Sequence, residues 1–349
     1  MRNVTSKARK FLTPARPIEA IRKKIIAVVG ATGTQGSSVA RTFLSLSNWH
    51  VRALTRNPTS DKSTELKSLG AEVVQADLDD KGSLEAAFAG AHAIFLNTDF
   101  WQPYRKIIAT GADPEASGKQ AYEIEVNHGK NAAIVAAGIS TLQRFVYSAL
   151  GPMKAASGGK YPHSRHWETK ASIVEYIQAE QPELAKKTSF IYIGAYITNR
   201  FLYPKFDAET KEFSYVIPGG KDLRMPIIDT AKSTGPFVRT LIEDEEAGTK
   251  LLAYDDYQTT GNVAKTFSRA LGKEIKVYNV GMQELHEKTG APLEVLSGPA
   301  FLSEFDYCAG ISNVIEPDQL KNRPSAPTFS EWLSGHDVLE LIGLKKSNN

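Results

Sequence analysis

Short apolar runs alternate with stretches whose apolar residues recur at helical spacing. The runs 25–29, 51–54, 72–75, 93–96, 144–148 and 190–193 predict six strands. Between them, 37–46 reads as a helix, as does 83–88 with Ser83 as its N-cap, and 121–137 reads as a helix closed by Gly138. A further helix is predicted to begin near Ser164. This alternation predicts the α/β class, a doubly wound parallel sheet with helices on both faces.

Past Tyr196 the pattern loosens. Residues 213–217 followed by Pro218-Gly219-Gly220 read as a strand and turn, and 230–242 and 260–271 as amphipathic helices around strands at 251–253 and 275–277. The expected organisation is a nucleotide-binding unit over 24–199 and a smaller α+β lobe over 200–349, partly interleaved with the first. Residues 1–23 read as a basic extension, since Arg2, Lys7, Arg9, Lys10, Arg16, Arg22 and Lys23 face a single acid, Glu19. Pro14 and Pro17 interrupt any helix there, which weighs against a mitochondrial presequence and for a flexible or partner-touching arm.

The most specific chemistry lies where the first strand runs into Gly30-Ala31-Thr32-Gly33-Thr34-Gln35-Gly36 and a helix follows. The first glycine of such a loop makes a tight turn. The second lets backbone N–H groups approach a pyrophosphate, and the third lets the helix pack close to the strand. A diphosphate then sits at a helix N-terminus, where unpaired N–H donors favour an anion. Folds that bind NAD place Asp or Glu at the end of the second strand, for the ribose 2′-hydroxyl. This chain has Arg56 there, which suits a 2′-phosphate and favours NADP(H) over NAD(H). The alternative is a solvated strand-end arginine. Lys62 is a second candidate contact to that phosphate.

Ligands in such sheets bind beyond the carboxyl ends of the strands. The positions to inspect are therefore Asp77 and Leu78, Asn97 and Thr98, Ser148 and Ala149, and 194–196. Asp77 can accept from an adenine amine or cap a helix.

Composition excludes several classes. The 349 residues are 42% hydrophobic, enough for a large core, and the net charge of +3 carries no nucleic-acid footprint. No apolar run approaches the roughly 20 residues that cross a bilayer. The single cysteine, Cys308, excludes an intrachain disulfide framework and a cysteine-rich zinc site, and no metal site is expected. It sits in an aromatic segment and reads as a buried small hydrophobe. A reducing compartment fits, so the expected location is the cytoplasm, with the nucleus open.

Carbonyl reduction on this kind of sheet uses a tyrosine as proton donor, a lysine four residues later and an upstream serine. Tyr161 lies 13 residues after Ser148, but position 165 is Arg, and Pro162 together with the preceding glycines places Tyr161 in a loop. The helix that follows carries His166 and Lys170 at i and i+4. Lys170 is then a candidate cofactor ligand or catalytic group, and His166 either a catalytic group or a helix-surface histidine.

The loop 30–36, the strand end Leu54-Thr55-Arg56, Ala76-Asp77-Leu78, Phe95-Leu96-Asn97-Thr98, His166-Trp167-Glu168-Thr169-Lys170, Gly194-Ala195-Tyr196-Ile197-Thr198-Asn199 and Thr266–Leu271 occur in an order that resembles the NmrA-like family of atypical short-chain dehydrogenases. The likeness runs from about Lys24 to Trp332 and leaves the basic extension without an inherited role. It implies a two-lobed Rossmann-type fold that binds NADP(H). Gly30, Thr32, Gly33, Thr34, Gln35 and Gly36 would hold the diphosphate and Arg56 the 2′-phosphate. Asp77, Leu78, Asn97 and Thr98 would line the cofactor, Lys170 would reach the ribose or nicotinamide, and Tyr196 and Asn199 would flank the nicotinamide end.

The resemblance implies two functions. One is a redox sensor that regulates a protein partner. The other is a reductase of a small carbonyl, quinone or imine using Lys170 or His166, under aromatics such as Phe100, Trp101, Tyr104, Tyr161 and Trp167. The missing Tyr-Lys pair favours the sensor, since general-acid help is typically worth 10²- to 10⁴-fold. Direct nucleic-acid and membrane binding are not expected, and the oligomer expected is a monomer or homodimer.

Overall fold

The computed structural model describes residues 23–345, so the basic extension up to Arg22 lies outside the described residues. The first six strands are β1 (Lys24–Val28), β2 (Trp49–Thr55), β3 (Glu72–Gln75), β4 (Ala93–Leu96), β5 (Arg144–Ala149) and β6 (Thr188–Ile193). Later strands are β7 (Ala195–Tyr196), β8 (Lys205–Phe206), β9 (Phe213–Ile217), β10 (Arg224–Ile228), β11 (Lys250–Ala253), β12 (Asp256–Thr259), β13 (Ile275–Asn279) and β14 (Val314–Ile315). Eight of them form one sheet in the order β14-β11-β6-β5-β4-β1-β2-β3. Every pairing in it is parallel.

Alternate residues of these strands feed two apolar layers, as a parallel sheet covered on both faces requires. Ala27, Leu54, Ile94, Leu96, Phe145 and Tyr147 enter one layer. Ile26, Val28, Val51, Ala53, Phe95 and Val146 enter the other. The fold is a Rossmann-type doubly wound sheet, and the winding reverses at β1, which lies between β2 and β4. A crevice opens at such a switch point, beyond the carboxyl ends of the strands.

The smaller lobe holds two three-stranded sheets, β12-β10-β7 and β13-β9-β8, around Phe213, Tyr215, Ile227, Phe267 and Trp332. Two elements expected in that lobe belong to the main sheet instead. The 251–253 run is β11, parallel to β6, and the Thr230–Glu243 helix packs on the Thr34–Leu44 helix. At that crossing the Gly235 N–H donates to Ser38 Oγ at 2.9 Å, and a Cβ on Gly235 would overlap Ser38 and Thr42. The physical reason was present in the run itself: Leu251, Leu252 and Ala253 are all buried, which needs cover on both faces.

Helix starts also differ from expectation. Asp80, not Ser83, caps the Lys81–Phe88 helix, because its carboxylate reaches the N–H groups of both Gly82 and Ser83. The long helix starts two turns before position 121, at Pro114, with Asp113 as N-cap and proline at its first position. Gly138 ends it at φ −79°, so no left-handed turn is used there.

The chain passes from the main sheet into the lobe at Asp255, between β11 and β12. Asp255 Oδ2 accepts the Asp229 N–H at 2.7 Å, while Oδ1 is buried without a hydrogen bond. Burial pushes this carboxyl up to about 6 from 3.8, with Asp229 and Asp256 adding repulsion. The folded chain therefore binds this proton more tightly than the unfolded chain, and stability rises as pH falls from about 7 toward 4. The full effect is at most about 3 kcal/mol. Asp255→Asn should raise the melting temperature at neutral pH and flatten its rise between those limits. Parallel pH profiles of the two proteins by calorimetry would show that this carboxyl is not under strain.

Candidate functional site

The glycine loop has the geometry that its spacing calls for. Gly30 turns the chain at φ +69°, a backbone that side chains rarely adopt. Gly33 N–H donates to the Gly30 carbonyl at 2.9 Å, and a Cβ on Gly33 would stand 3.2 Å from that oxygen. A Cβ on Gly36 would overlap the same carbonyl, so Gly36 is the residue that lets helix and strand approach. This close approach is the packing role that the third glycine of the loop was expected to play. The Thr34–Leu44 helix starts with no side-chain cap and no acid in its first turn. Such an end suits an anion.

From this loop a cleft of about 1280 Å³ runs across the carboxyl ends of the strands. Gly30, Thr32, Gly33, Thr34 and Gln35 line it, as do Asn97, Thr98, Lys170, Tyr196 and Asn199. Gln35 Nε2 donates to Tyr196 Oη at 2.7 Å, and its Oε1 is buried with no hydrogen-bond partner among the described residues. At the far end Arg56 and Lys62 line the cleft together, with the Arg56 guanidinium 2.9 Å from Gln102 Oε1. Asp61 is there too, a carboxylate that sequence reading overlooked.

Asp77 and Leu78 line the adjoining wall, each with one polar atom engaged by the protein. Asp77 Oδ1 accepts the Asp79 N–H at 3.1 Å, and the Leu78 carbonyl accepts Asn131 Nδ2 at 2.9 Å. His128 Nε2 stands 3.1 Å from Asp79 Oδ1, and Asp77, Asp79 and His128 bring their polar atoms within 4.8 Å of one another.

The centre of the site is a carboxylate that sequence reading missed. Glu125, fully buried in the Pro114–Ala137 helix, accepts Thr98 Oγ1 at 2.6 Å on Oε1 and Thr169 Oγ1 at 2.5 Å on Oε2. Lys170 Nζ lies 3.2 Å from Oε1 and donates to the Thr98 carbonyl at 3.0 Å and to Thr98 Oγ1 at 3.2 Å. Tyr147 Oη closes the network, 3.2 Å from Thr98 Oγ1. Lys170 thus borders the cleft with its ammonium anchored inward.

One turn earlier, at the start of the Arg165–Glu180 helix, His166 has a different partner. Glu294, from the Leu293–Leu302 helix of the C-terminal half, places Oε1 at 2.5 Å from His166 Nδ1 and accepts the His166 backbone N–H at 2.9 Å. The His166 ring lies against Trp101 and Phe100, with centroids 4.9 and 6.1 Å away, and faces the same cleft as Lys170. Nε2 has no hydrogen-bond partner among the described residues. Trp101, Phe201, Met225, Val295 and Leu302 give this end an apolar lining.

Tyr161 is outside the cleft lining, in the loop where the sequence put it. Its hydroxyl donates to Glu304 Oε1 at 2.6 Å, and Lys160 joins the same carboxylate. Burial, then the Glu304 charge, push this phenol far above its ordinary value. Cys308 is pushed up to about 12 by burial, which suits an inert thiol. No helix among the described residues is long and apolar enough to cross a membrane.

The sequence pattern of the NmrA-like family matches residues 22–333. The chain is 29% identical over 296 residues to the NmrA-like family domain-containing oxidoreductase cpsB of Aspergillus campestris, covering 78% of this chain and 82% of that one. Among solved structures, NmrA, a negative transcriptional regulator in complex with NADP, superposes with a TM-score of 0.60 at 22% identity, covering 93% of this chain and 95% of the other. The NADPH-dependent quinone oxidoreductase QOR2 of Escherichia coli, complexed with NADPH, gives 0.64 at 18% identity, with coverages of 89% and 98%.

The Glu125 network makes a stability prediction. Lys170→Met leaves a buried carboxylate with only two hydroxyl partners, which should cost about 3–5 kcal/mol. Adding Glu125→Gln should recover most of that loss in urea unfolding. If the double variant is no more stable than Lys170→Met, the ammonium and carboxylate are not energetically coupled.

Proposed function

The chain belongs to the NmrA-like family, and on that premise we propose that it is an NADP(H)-dependent oxidoreductase that reduces a carbonyl, quinone or imine carried on an apolar body. The observation that carries this reading is the continuity of one cleft. It runs from an uncapped helix end and a guanidinium at one side to a carboxylate-held imidazole in an apolar chamber at the other.

The residues fit the cofactor. The Gly30 turn and the bare N-terminus of the Thr34–Leu44 helix suit a diphosphate. Arg56 and Lys62 suit a 2′-phosphate. Gln35, Tyr196 and Asn199 line the cleft as polar residues for the nicotinamide half. When bound, the reduced nicotinamide supplies a hydride.

The protein's own part is to position and to move a proton. Lys170, anchored on Glu125 and Thr98, fixes the floor at the end of β4 and presents positive charge to the ribose or to developing negative charge on substrate. His166 delivers a proton from Nε2 to the substrate oxygen or nitrogen, and Ser148, buried in the same wall, polarises that atom. Trp101, Val295 and Leu302 exclude water from the reacting pair and receive an apolar ring.

The sequence favoured a sensor because the Tyr-Lys pair is missing. A regulator remains the second reading, supported by the similarity to NmrA, and it calls for cofactor binding without turnover.

Two measurements test the proposal. Arg56→Glu should weaken NADPH on the order of 10²-fold in calorimetry and NADH by less than about 3-fold, from the loss of charge-assisted bonds to the extra phosphate. Equal losses would remove Arg56 from phosphate recognition. In a screen of quinones, aromatic ketones and cyclic imines, the wild type should oxidise NADPH, and His166→Ala should lower kcat about 10²-fold with NADPH affinity kept. Tight NADPH binding with no acceptor turned over would decide for the regulator.

A further inference from the structure

We propose that Glu294 is a positioning residue: it holds the Nδ1–H of His166 and so turns Nε2 toward the cleft as the proton-donating atom. The inference rests on the reductase reading for its chemistry, but the pairing itself can be read in the resting protein.

Glu294 is 5% exposed and lies 128 residues from its partner, on a helix of the C-terminal half. Its Oε1 receives two N–H groups of one residue, the backbone and the ring Nδ1 of His166, at 2.9 and 2.5 Å. The backbone bond is a helix cap supplied from afar, since Ser164 at the N-cap position makes no side-chain cap. A neutral hydroxyl or amide would serve for capping. A buried carboxylate is a costly choice for it, all the more because among the described residues Oε2 has no hydrogen bond and is paired only with Arg165 Nη1, 4.0 Å away.

The ring contact gives the charge a use. A ring nitrogen bound to a carboxylate is the protonated one, and this fixes which nitrogen is left for chemistry. The other charged groups near the imidazole are Arg165, Glu168 and Lys170 on its own helix and Glu115, which pairs with Arg165 from the Pro114–Ala137 helix. Phe100 and Trp101 cover the ring faces, with Tyr104 stacked behind Phe100. None of these touches Nδ1 among the described residues.

The step balances as follows. When bound, a reduced nicotinamide would supply a hydride to the carbon of a C=O or C=N bond, and the π electrons of that bond would move to the heteroatom. That atom takes the proton from Nε2 of the imidazolium. The ring is left neutral with its remaining proton on Nδ1, the tautomer that Glu294 holds, and water restores the Nε2 proton. Glu294 keeps its place at Nδ1 throughout, so its position favours the correct neutral ring after the step.

Long-range ¹H–¹⁵N spectra of the neutral ring in substrate-free protein, assigned with His166→Ala, should show the proton on Nδ1, although free imidazole side chains prefer Nε2. Glu294→Ala should move it to Nε2. Glu294→Gln, whose amide oxygen stays pinned by the backbone N–H, should keep both the fold and the tautomer while removing the charge. With an accepted substrate, Glu294→Gln should lose about tenfold in kcat at unchanged KM, and the Glu294→Ala/His166→Ala pair should be no slower than His166→Ala alone. A wild-type ring protonated on Nε2, or double-variant losses that simply add, would overturn the pairing. A Nδ1–H tautomer lost in Glu294→Ala, with no acceptor reduced, would uphold the pairing and remove the reductase reading.

Discussion

The architecture of the cleft depends on one buried ionic knot. Glu125 is sealed from solvent, so its charge has to be met by the chain itself, and Thr98, Thr169 and Lys170 meet it. Those partners come from the end of β4 and from the Arg165–Glu180 helix, while the carboxylate comes from the Pro114–Ala137 helix. Three elements are thereby fixed at the point where the sheet reverses. Removing one member would strand the others, which is why such knots act as all-or-none constraints. His166 sits one turn above Lys170 on the same helix, so its position over the cleft follows from the knot below it.

The second constraint is topological. The chain leaves the main sheet after β6, builds β7 to β10, returns for β11, leaves again and returns for β14. Two lobes laced in this way share strands and cannot separate as two beads on a linker. The Thr230–Glu243 helix reinforces the lacing at Gly235, where only a hydrogen fits against the Thr34–Leu44 helix. The same lacing lets a residue as distant as Glu294 be placed to ångström precision against His166. A cleft with one wall from each lobe is then held to a single geometry.

Much of this was legible because it is local. Fully buried strands of four to seven residues write themselves as apolar runs, and all six expected strands of the first half formed within a residue or two of their expected bounds. The glycine loop was legible for the same reason: a left-handed turn at Gly30 and a close approach at Gly36 each need a missing side chain. Arg56 could be placed from strand register alone. What escaped was long-range. Glu125 lies 44 residues from Thr169 and Glu294 lies 128 from His166, so neither partner can be read from the residues beside it in the chain. Glu125 could have been suspected from the apolar and small residues around it on its helix. The misplaced β11 had a subtler cause: its position in the chain, after the lobe begins, outweighed its composition.

The exchange of roles around the missing Tyr-Lys pair follows from these constraints. A phenol at position 161 is unavailable because Glu304 accepts its hydrogen bond, and burial with that charge makes its proton harder to remove. The lysine at 170 keeps its place on the helix but spends its donors on Thr98 and Glu125. A helix that presents residues at i and i+4 to one cleft places His166 beside Lys170 there, the position from which the proposed reductase would protonate its substrate. Imidazole suits it, since the ring has two nitrogens: one can be tied to the protein while the other stays open to the cleft. A tyrosine has only one polar atom and cannot be oriented in this way from behind. In the proposed reductase, the buried carboxylate behind the ring is what would allow a histidine to stand where a phenol is otherwise needed.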